Sequence, residues 1–260
     1  GGAERQLVAL ATGLDRKRFD PAVASLAPLG ALASPLRKAG IPVFSLAARR
    51  ATDLRVLPRL TRLLAEMEPD LLHTFLFHAN VAGRICARLA GLSCPVAASV
   101  RVEDPRWLPR WGEKATARWA DIFIANSASL GDFLRERIRI PQARIAVIPN
   151  ALLPFPEVIP HAFRNALGLD RRTPLVLGVG RLHRQKGFDL LVEALGRWPE
   201  RALRPCVALV GAGPEESRLR RLAERLGVAG SLRLVGAMDS AAGALTDADV
   251  VAIPSRWEGM

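Results

Sequence analysis

Short hydrophobic runs alternate along this chain with longer segments in which hydrophobic residues recur every three or four positions. The runs predict buried strands, and the longer segments predict amphipathic helices. The predicted strands are residues 21–27, 41–47, 70–75, 95–100, 121–126, 144–150, 174–180, 205–213, 231–236 and 249–254. Strands that are hydrophobic throughout and alternate with helices are typical of parallel sheets covered by helices on both faces. The pattern therefore predicts the α/β class.

A proline-containing stretch interrupts this alternation once. The residues that follow the strand 144–150 include several prolines and have no clear hydrophobic period, apart from a short predicted helix near 161–167. We interpret 153–173 as a linker between two doubly wound, Rossmann-like domains, residues 1–152 and 174–260. Two such domains facing each other would form a cleft, and ligands of such sheets bind at the carboxyl ends of the strands.

The composition is that of a globular protein, with 260 residues of which 50% are hydrophobic and 24% charged. A formal net charge of +12 favours anionic partners such as nucleic acid, acidic phospholipid or phosphorylated metabolites, although solvated basic helix faces would explain it equally well. No hydrophobic run reaches the ~18 residues that a membrane-spanning helix needs. Three cysteines without a CxxC pair argue against a disulfide framework and suggest a reducing compartment.

Two glycine pairs, in Gly178–Gly180 and Gly211–Gly213, each follow a predicted strand. Neither continues into the GxGxxG fingerprint of dinucleotide-binding domains, because His183 and Glu216 occupy the third glycine position. A nicotinamide enzyme is therefore disfavoured. The pairs instead predict tight turns where the backbone closely approaches a ligand or a neighbouring element. For each pair taken alone, a structural role is favoured over contact with a ligand.

Two cations stand close together after the strand 174–180. Arg181 follows its carboxyl end, and Lys186 precedes the next predicted helix. Cationic side chains beside a helix N-terminus form an anion site, and a diphosphate leaving group needs one because negative charge develops as its bond to carbon breaks. A solvated basic loop is the alternative. Glu258, in a loop after the last predicted strand, is able to accept hydrogen bonds from sugar hydroxyls, although a lone loop glutamate is more often solvated.

Histidines and tryptophans in the amino-terminal half offer weaker signals. His73 and His78 flank the end of a predicted strand, where a histidine acts as a base or polar contact as often as it is an ordinary packed or surface residue. Trp107, Trp111 and Trp119 each follow an arginine, which fits an aromatic and basic face for membrane or nucleic acid. The same three positions also fit one side of a helix, so core or interface packing is favoured.

Several segments together resemble the retaining glycosyltransferases of the group 1 family, which have the two-domain GT-B fold. They are GGAER, DLLHTFLFHAN, ANSASLGDFL, VIPN, VGRLHRQKGFDLLVEAL, LVGAGPEESRLRRLAERLGV, LVGAMDS and IPSRWEG. The resemblance implies transfer of a sugar from a nucleotide-diphosphate sugar, expected to be a UDP-sugar, to a hydroxyl acceptor with retention of configuration. A nucleotide-sugar 2-epimerase of the same architecture and a non-catalytic nucleotide- or polyanion-binding remnant are the alternatives.

The resemblance also implies roles for individual residues. Arg181 and Lys186 match the pair that binds the donor diphosphate, and Glu258 matches a carboxylate that contacts the donor sugar. Gly1 and Gly2 resemble the amino-terminal glycine loop of the family, close to the phosphates and the acceptor.

Further substrate contacts are expected in both domains. Asn150 lies in the hinge motif, and Arg101 stands where many relatives carry a histidine near the reacting sugar. This departure leaves open whether Arg101 contacts an acceptor or a phosphate. We also expect substrate contacts from His78, Gly180 and Gly213.

The resemblance carries expectations about the whole protein as well. The family's second glutamate would fall beyond Met260 and its first strand before Gly1, so we expect this chain to be a fragment cut at both ends. We expect a UDP-sugar or similar donor and a carbohydrate or lipid-linked acceptor in cell-envelope polysaccharide or glycolipid synthesis. We expect no cofactor, metal or nucleic acid, and a cytoplasmic location with peripheral contact to an anionic membrane.

Overall fold

A computed structural model describes residues 2–50, 52–103, 107–151, 157–199, 203–238 and 240–257, except for the side chains of 107–109. The described residues form two compact units, one within 2–151 and the other within 157–257. Both units are built from parallel strands alternating with helices.

The first unit contains a two-stranded and a four-stranded sheet. Its elements are α1 (Gly2–Gly13), β1 (Val23–Ser25), α2 (Ala33–Lys38), β2 (Val43–Ser45), α3 (Val56–Met67), β3 (Leu72–Phe75), α4 (Phe77–Leu89), β4 (Val96–Val100), α5 (Trp107–Thr116), β5 (Ile122–Ala125), α6 (Ala128–Phe133) and β6 (Ile145–Val147). The strand β1 pairs with β2, and the larger sheet has the order β3-β4-β5-β6 with every pair parallel. All five residues of β4 are buried, so this strand lies at the centre of the unit.

The second unit is built around one four-stranded parallel sheet with the order β10-β7-β8-β9. Its elements are α7 (Ala162–Ala166), β7 (Leu175–Val179), α8 (Phe188–Gly196), β8 (Cys206–Val210), α9 (Glu216–Arg225), β9 (Leu232–Gly236), α10 (Ala242–Asp247) and β10 (Val250–Val251). All five residues of β8 are buried. The short helix α7, predicted inside the linker, belongs to this unit because its Phe163 packs in the core with Leu175 and Leu177.

The α/β class and the parallel sheets are confirmed, since each predicted strand contains an observed one. The observed strands are shorter. The strand predicted over 249–254 is reduced to Val250–Val251, and beyond it Pro254 has no N–H to donate to a sheet while Ile253 is 77% exposed. The domain boundaries and the cleft stay predictions.

Two expectations need correction in part. Gly2 lies at the start of α1 and not in a loop, and Glu4 stands in the first turn of this helix, where a carboxylate is favourable. Closeness of Gly2 to the phosphates and the acceptor stays a prediction. Of the core or interface packing favoured for the tryptophans, core packing is wrong for Trp111, which is 64% exposed on α5, while Trp119 is half-buried. Interface packing stays a prediction. Gly1 and the Trp107 side chain lie outside the described residues. Within the described part of the chain, no helix is both long and apolar enough to cross a bilayer.

Candidate functional site

The carboxyl end of β7 carries Gly180 and Arg181, and the side chain of Lys186 folds back onto it. Gly180 has a φ of +156°, and a Cβ built on it would lie 3.3 Å from Cε and 3.4 Å from Cδ of Lys186. A side chain at position 180 would therefore press on the lysine stem. The structure thus brings the Lys186 side chain against the residue that precedes Arg181.

The second glycine pair packs directly against this strand end. A Cβ on Gly211 would lie 1.9 Å from the Gly180 carbonyl oxygen, and one on Gly213 would lie 2.3 Å from that of Leu182. The Leu182 N–H donates to the Ala212 carbonyl at 3.0 Å. Of the two interpretations of these glycines, the close approach of a neighbouring element is therefore confirmed. Substrate contacts by Gly180 and Gly213 stay predictions.

The turn that carries Lys186 is held by the segment that follows β10. Gly187 has a φ of +65°, and a Cβ on it would lie 2.1 Å from the Pro254 carbonyl oxygen. The Arg256 N–H donates to the Gln185 carbonyl at 2.7 Å, and Gln185 Nε2 donates to the Trp257 carbonyl at 3.0 Å. These contacts fix the backbone on both sides of Lys186.

An ion pair completes this connection. The Arg256 guanidinium donates to Asp189 Oδ1 at 2.7 Å and to Oδ2 at 2.8 Å, and its Nη1 also donates to the Arg184 carbonyl at 2.9 Å. This pairing holds the pKa of the Asp189 carboxyl below its usual range. Because Asp189 lies in the first turn of α8, the pair ties the start of that helix to the segment after β10. Neither Arg256 nor Asp189 was predicted as a site residue from the sequence.

The two predicted diphosphate ligands differ in exposure. The Arg181 side chain is exposed and has no hydrogen-bond or ion-pair partner among the residues described, whereas Lys186 is half-buried. Both lie between the end of β7 and the start of α8, at the edge of the sheet where ligands of parallel α/β domains bind. The third predicted catalytic residue, Glu258, lies outside the described residues, as does Gly1.

A second polar group lies at the carboxyl edge of the first unit. Arg101 follows β4, its Nη1 donates to Oδ1 of Asn150, and its guanidinium lies 5.0 Å from the centre of the Phe75 ring. The residue after Asn150 is held by α1, because Gln6 donates to the Ala151 carbonyl at 2.7 Å and accepts from its N–H at 2.9 Å. The structure therefore brings together two predicted substrate ligands, Arg101 and Asn150.

The two histidines of this region have different surroundings. His73 Nε2 lies 2.9 Å from Ser99 Oγ, and burial together with the charge of Arg101 lowers its pKa to about 4. His73 is therefore neutral near pH 7 and is able to act as a neutral hydrogen-bonding group. His78 is exposed in the first turn of α4, with its ring edge-on to Phe77 at 5.1 Å.

A buried network of polar side chains lies next to this edge of the first unit's sheet. Arg84, which is 0% exposed, forms an ion pair with Glu113, and Asn80 Nδ2 donates to Glu113 Oε1 at 3.1 Å and to the Ser99 carbonyl at 3.2 Å. Thr74 Oγ1 donates to Asn80 Oδ1 at 2.8 Å. The network joins β3, β4, α4 and α5, and it fixes the residue that contacts His73. This network was not predicted from the sequence, although polar residues four apart on the hydrophobic face of α4 were a usable signal.

No three His, Cys, Asp or Glu side chains within the described ranges are grouped closely enough to hold a metal ion. At the two strand edges, the described candidate residues are cations and hydrogen-bonding groups: Arg181 and Lys186 in the second unit, and Arg101, Asn150 and a neutral His73 in the first.

Comparison with family models gives a match over most of the chain. A model described as Glycosyltransferase Family 4 matches residues 1–152, and one described as Glycosyl transferases group 1 matches residues 161–260.

Curated relatives carry related names. A UDP-Gal:alpha-D-GlcNAc-diphosphoundecaprenol alpha-1,3-galactosyltransferase of Escherichia coli is 29% identical over 223 residues, which cover 80% of this chain and 57% of the relative. A D-inositol 3-phosphate glycosyltransferase of Corynebacterium jeikeium is 32% identical over 153 residues, which cover 54% and 36%. The chain thus spans between about a third and 57% of the length of these relatives.

Solved structures share the fold. Anabaena HepE in complex with UDP and glucose has a TM-score of 0.76 at 23% identity, with 98% of this chain and 71% of that chain covered. Sucrose-phosphate synthase from Thermosynechococcus elongatus has a TM-score of 0.70 at 19% identity, with 92% and 76% covered. With family models matching both halves of the sequence and GT-B enzymes sharing its fold, this chain belongs to the group 1 glycosyltransferases.

Proposed function

We propose that the protein transfers a sugar from a nucleotide-diphosphate sugar, with a UDP-sugar as the expected donor, to a hydroxyl acceptor with retention of configuration. The observation that carries this proposal is the arrangement of Arg181 and Lys186 after β7, with the lysine stem packed on Gly180. The names of the relatives support the donor class, since the E. coli relative is named for UDP-Gal and HepE was solved with UDP and glucose.

The chemical contribution of the two cations is electrostatic. As the bond between the sugar and the diphosphate breaks, negative charge accumulates on the diphosphate oxygens, and positively charged groups already in place stabilise that charge without having to reorganise. The turn that carries Lys186 is fixed by its contacts with Arg256, Trp257 and Pro254, so little ordering is needed when the donor binds. We infer that this pair takes the role that a metal ion has in many diphosphate sites.

We propose retention of configuration because the sequence resembles retaining members of the family. It requires the nucleoside diphosphate to leave from the same face of the sugar that the acceptor hydroxyl attacks. Glu258 is proposed to contact the donor sugar, and Arg101, Asn150 and His78 to contact substrate from the first unit. Product analysis by NMR, which distinguishes the anomers of donor and product, tests this part of the proposal directly.

The acceptor is proposed to be a carbohydrate or a lipid-linked molecule of the cell envelope, with the protein in peripheral contact with anionic lipid. The formal net charge of +12 and the diphosphoundecaprenol acceptor in the name of the E. coli relative support this. Flotation with vesicles containing phosphatidylglycerol is expected to show binding that decreases with salt. If neutral vesicles recover as much protein as the anionic ones, contact with anionic lipid is not supported.

The decisive experiment is calorimetric titration with UDP. We expect Lys186→Ala to weaken UDP binding and, in the active enzyme, to lower turnover roughly 10²–10³-fold, because removal of one group that stabilises a developing charge typically costs about 3 kcal/mol. Lys38→Ala is the matched control, since this exposed lysine at the end of α2 is far along the chain from the site. If Lys186→Ala binds UDP and turns over like Lys38→Ala, the proposed donor site is wrong.

A further inference from the structure

The charge of Arg101 is poorly compensated by the residues that the structure describes. The side chain is half-buried, and among those residues it contacts the face of Phe75 and the neutral amide of Asn150. Among the residues that the structure describes, no carboxylate pairs with it. Its Nε is buried and has no hydrogen-bond partner. Part of the hydrogen-bonding capacity of this guanidinium is therefore unused.

The described residues that contact or adjoin the Arg101 side chain are electrically neutral. They are Phe75, Asn150 and His73, which is uncharged near pH 7. Within the described residues, the Glu113 carboxylate of the neighbouring network is already paired with Arg84. A partly buried charge without a counter-ion is unfavourable, and burial accordingly lowers the pKa of Arg101. An anionic ligand would remove this penalty, whereas a neutral sugar would not.

We propose that Arg101 binds a phosphate group of a substrate at the carboxyl edge of the first unit. A guanidinium presents parallel N–H donors that match two phosphate oxygens, which gives geometry as well as charge. The edge of a parallel sheet at the ends of β4 and β6 is where such domains bind ligands. The proposal rests on the proposed transferase function, and it assigns phosphate chemistry to a position where the family resemblance leads us to expect a histidine. The phosphate belongs either to the donor diphosphate or to a phosphorylated acceptor.

The alternative is a purely structural role, in which Arg101 holds Asn150 and the chain that leaves the first unit. Three variants separate the two. Arg101→Gln removes the charge, Arg101→Lys keeps the charge but loses the paired donors, and Arg88→Gln removes a charge from the exposed end of α4 as the control. Thermal unfolding of each variant is recorded first.

The probe is methyl phosphate, a phosphate monoester without a nucleotide, titrated into the whole chain and followed by NMR. The wild type and Arg88→Gln are expected to bind it saturably, and Arg101→Gln at least ~10-fold more weakly, because hydrogen bonds between charged groups are the stronger class. The affinity of Arg101→Lys for methyl phosphate is expected to lie between those of the wild type and Arg101→Gln. Binding is also expected to shift the His73 ring signals, which are readily assigned among four histidines, and to raise the His73 pKa by neutralising the neighbouring charge.

The same titrations with UDP identify the source of the phosphate. If methyl phosphate still binds in saturating UDP and Arg101→Gln leaves UDP binding unchanged, the acceptor carries the phosphate. If UDP displaces methyl phosphate and Arg101→Gln weakens UDP binding, the donor diphosphate is the ligand. Failure of the proposed function would give a different result, because Lys186→Ala would then leave UDP binding unchanged.

Two results would overturn the proposal. One is absence of saturable methyl phosphate binding by the wild type, and the other is Arg101→Gln binding both probes as Arg88→Gln does. Should Arg101→Gln fail to fold, the comparison between wild type and Arg101→Lys decides. If methyl phosphate leaves the His73 signals of both proteins unmoved, the phosphate does not bind beside Arg101 and the role of Arg101 is structural.

Discussion

Loss of the ion pair between Arg256 and Asp189 is expected to weaken both the second unit and its affinity for UDP. The pair has two short contacts of 2.7 and 2.8 Å, and Arg256 makes a third to the Arg184 carbonyl at 2.9 Å. The side chains are 28% and 13% exposed, so the pair is intermediate between surface pairs and fully buried ones. Surface pairs contribute up to about 1 kcal/mol and hydrogen bonds to charged groups about 1.5–3 kcal/mol. We therefore expect a coupling energy of about 1.5 kcal/mol.

A double-mutant cycle measures this coupling. Asp189→Asn, Arg256→Gln and the double variant are compared with the wild type by urea unfolding and by UDP titration. If a fixed Lys186 turn is needed for UDP to bind, each single variant lowers the binding-competent population and weakens UDP affinity by up to about tenfold. Such an effect on affinity, measured well below the unfolding temperature, distinguishes positioning from stability alone.

The control pair is Arg62–Glu66, whose side chains are 82% and 57% exposed on α3. Its cycle is expected to show coupling near the experimental error and no change in UDP affinity. Coupling between Arg256 and Asp189 as weak as in this control, with UDP affinity unchanged in both single variants, would show that the ion pair neither stabilises the second unit nor positions Lys186. If the unfolding data show coupling but UDP affinity does not change, the ion pair stabilises the second unit without positioning Lys186.

Two further predictions concern the first unit. Glu113→Ala leaves the Arg84 charge buried and unpaired, so the free energy of unfolding measured in urea is expected to fall by about 3–5 kcal/mol. The double variant Arg84→Met and Glu113→Leu is expected to recover most of this loss. A loss below about 1 kcal/mol in Glu113→Ala would contradict the prediction. The pKa of His73 is about 4 in the folded protein and 6.5 in the unfolded chain. Between these pH values His73 takes up a proton mainly in the unfolded state. The free energy of unfolding therefore falls as pH decreases, by up to about 1.4 kcal/mol per pH unit. His73→Gln is expected to remove this part of the slope between pH 6.5 and 4, and an unchanged slope in urea unfolding at several pH values would show that His73 is not its source.

The sequence predicts the elements of this fold well because their signal is local. The buried strand β8 is hydrophobic at every position, and the cations Arg181 and Lys186 stand only a turn apart, so both could be recognised from neighbouring residues. The order β10-β7-β8-β9 could not, because it depends on packing between segments far apart in the chain.

The same reason explains which site residues were missed. Arg256 and Asp189 are separated by 67 positions, and neither stands in a pattern that indicates the other. Asn80 and Arg84 lie close together, but a hydrophobic period describes only the average character of a helix face and does not identify polar partners within it. Gly2 was misplaced because a glycine pair favours a turn only where the surrounding residues do not favour a helix.

The contact between Gly211 and the Gly180 carbonyl has a consequence for directed evolution of this protein. A side chain at 211 would displace the backbone before Arg181 and one at 213 the backbone after it, so libraries that randomise these two positions would consist mostly of misassembled variants. Ala212 between them is exposed, and its carbonyl accepts from the Leu182 N–H. Diversity introduced at 212 would therefore alter the surface next to the cations while leaving their scaffold intact.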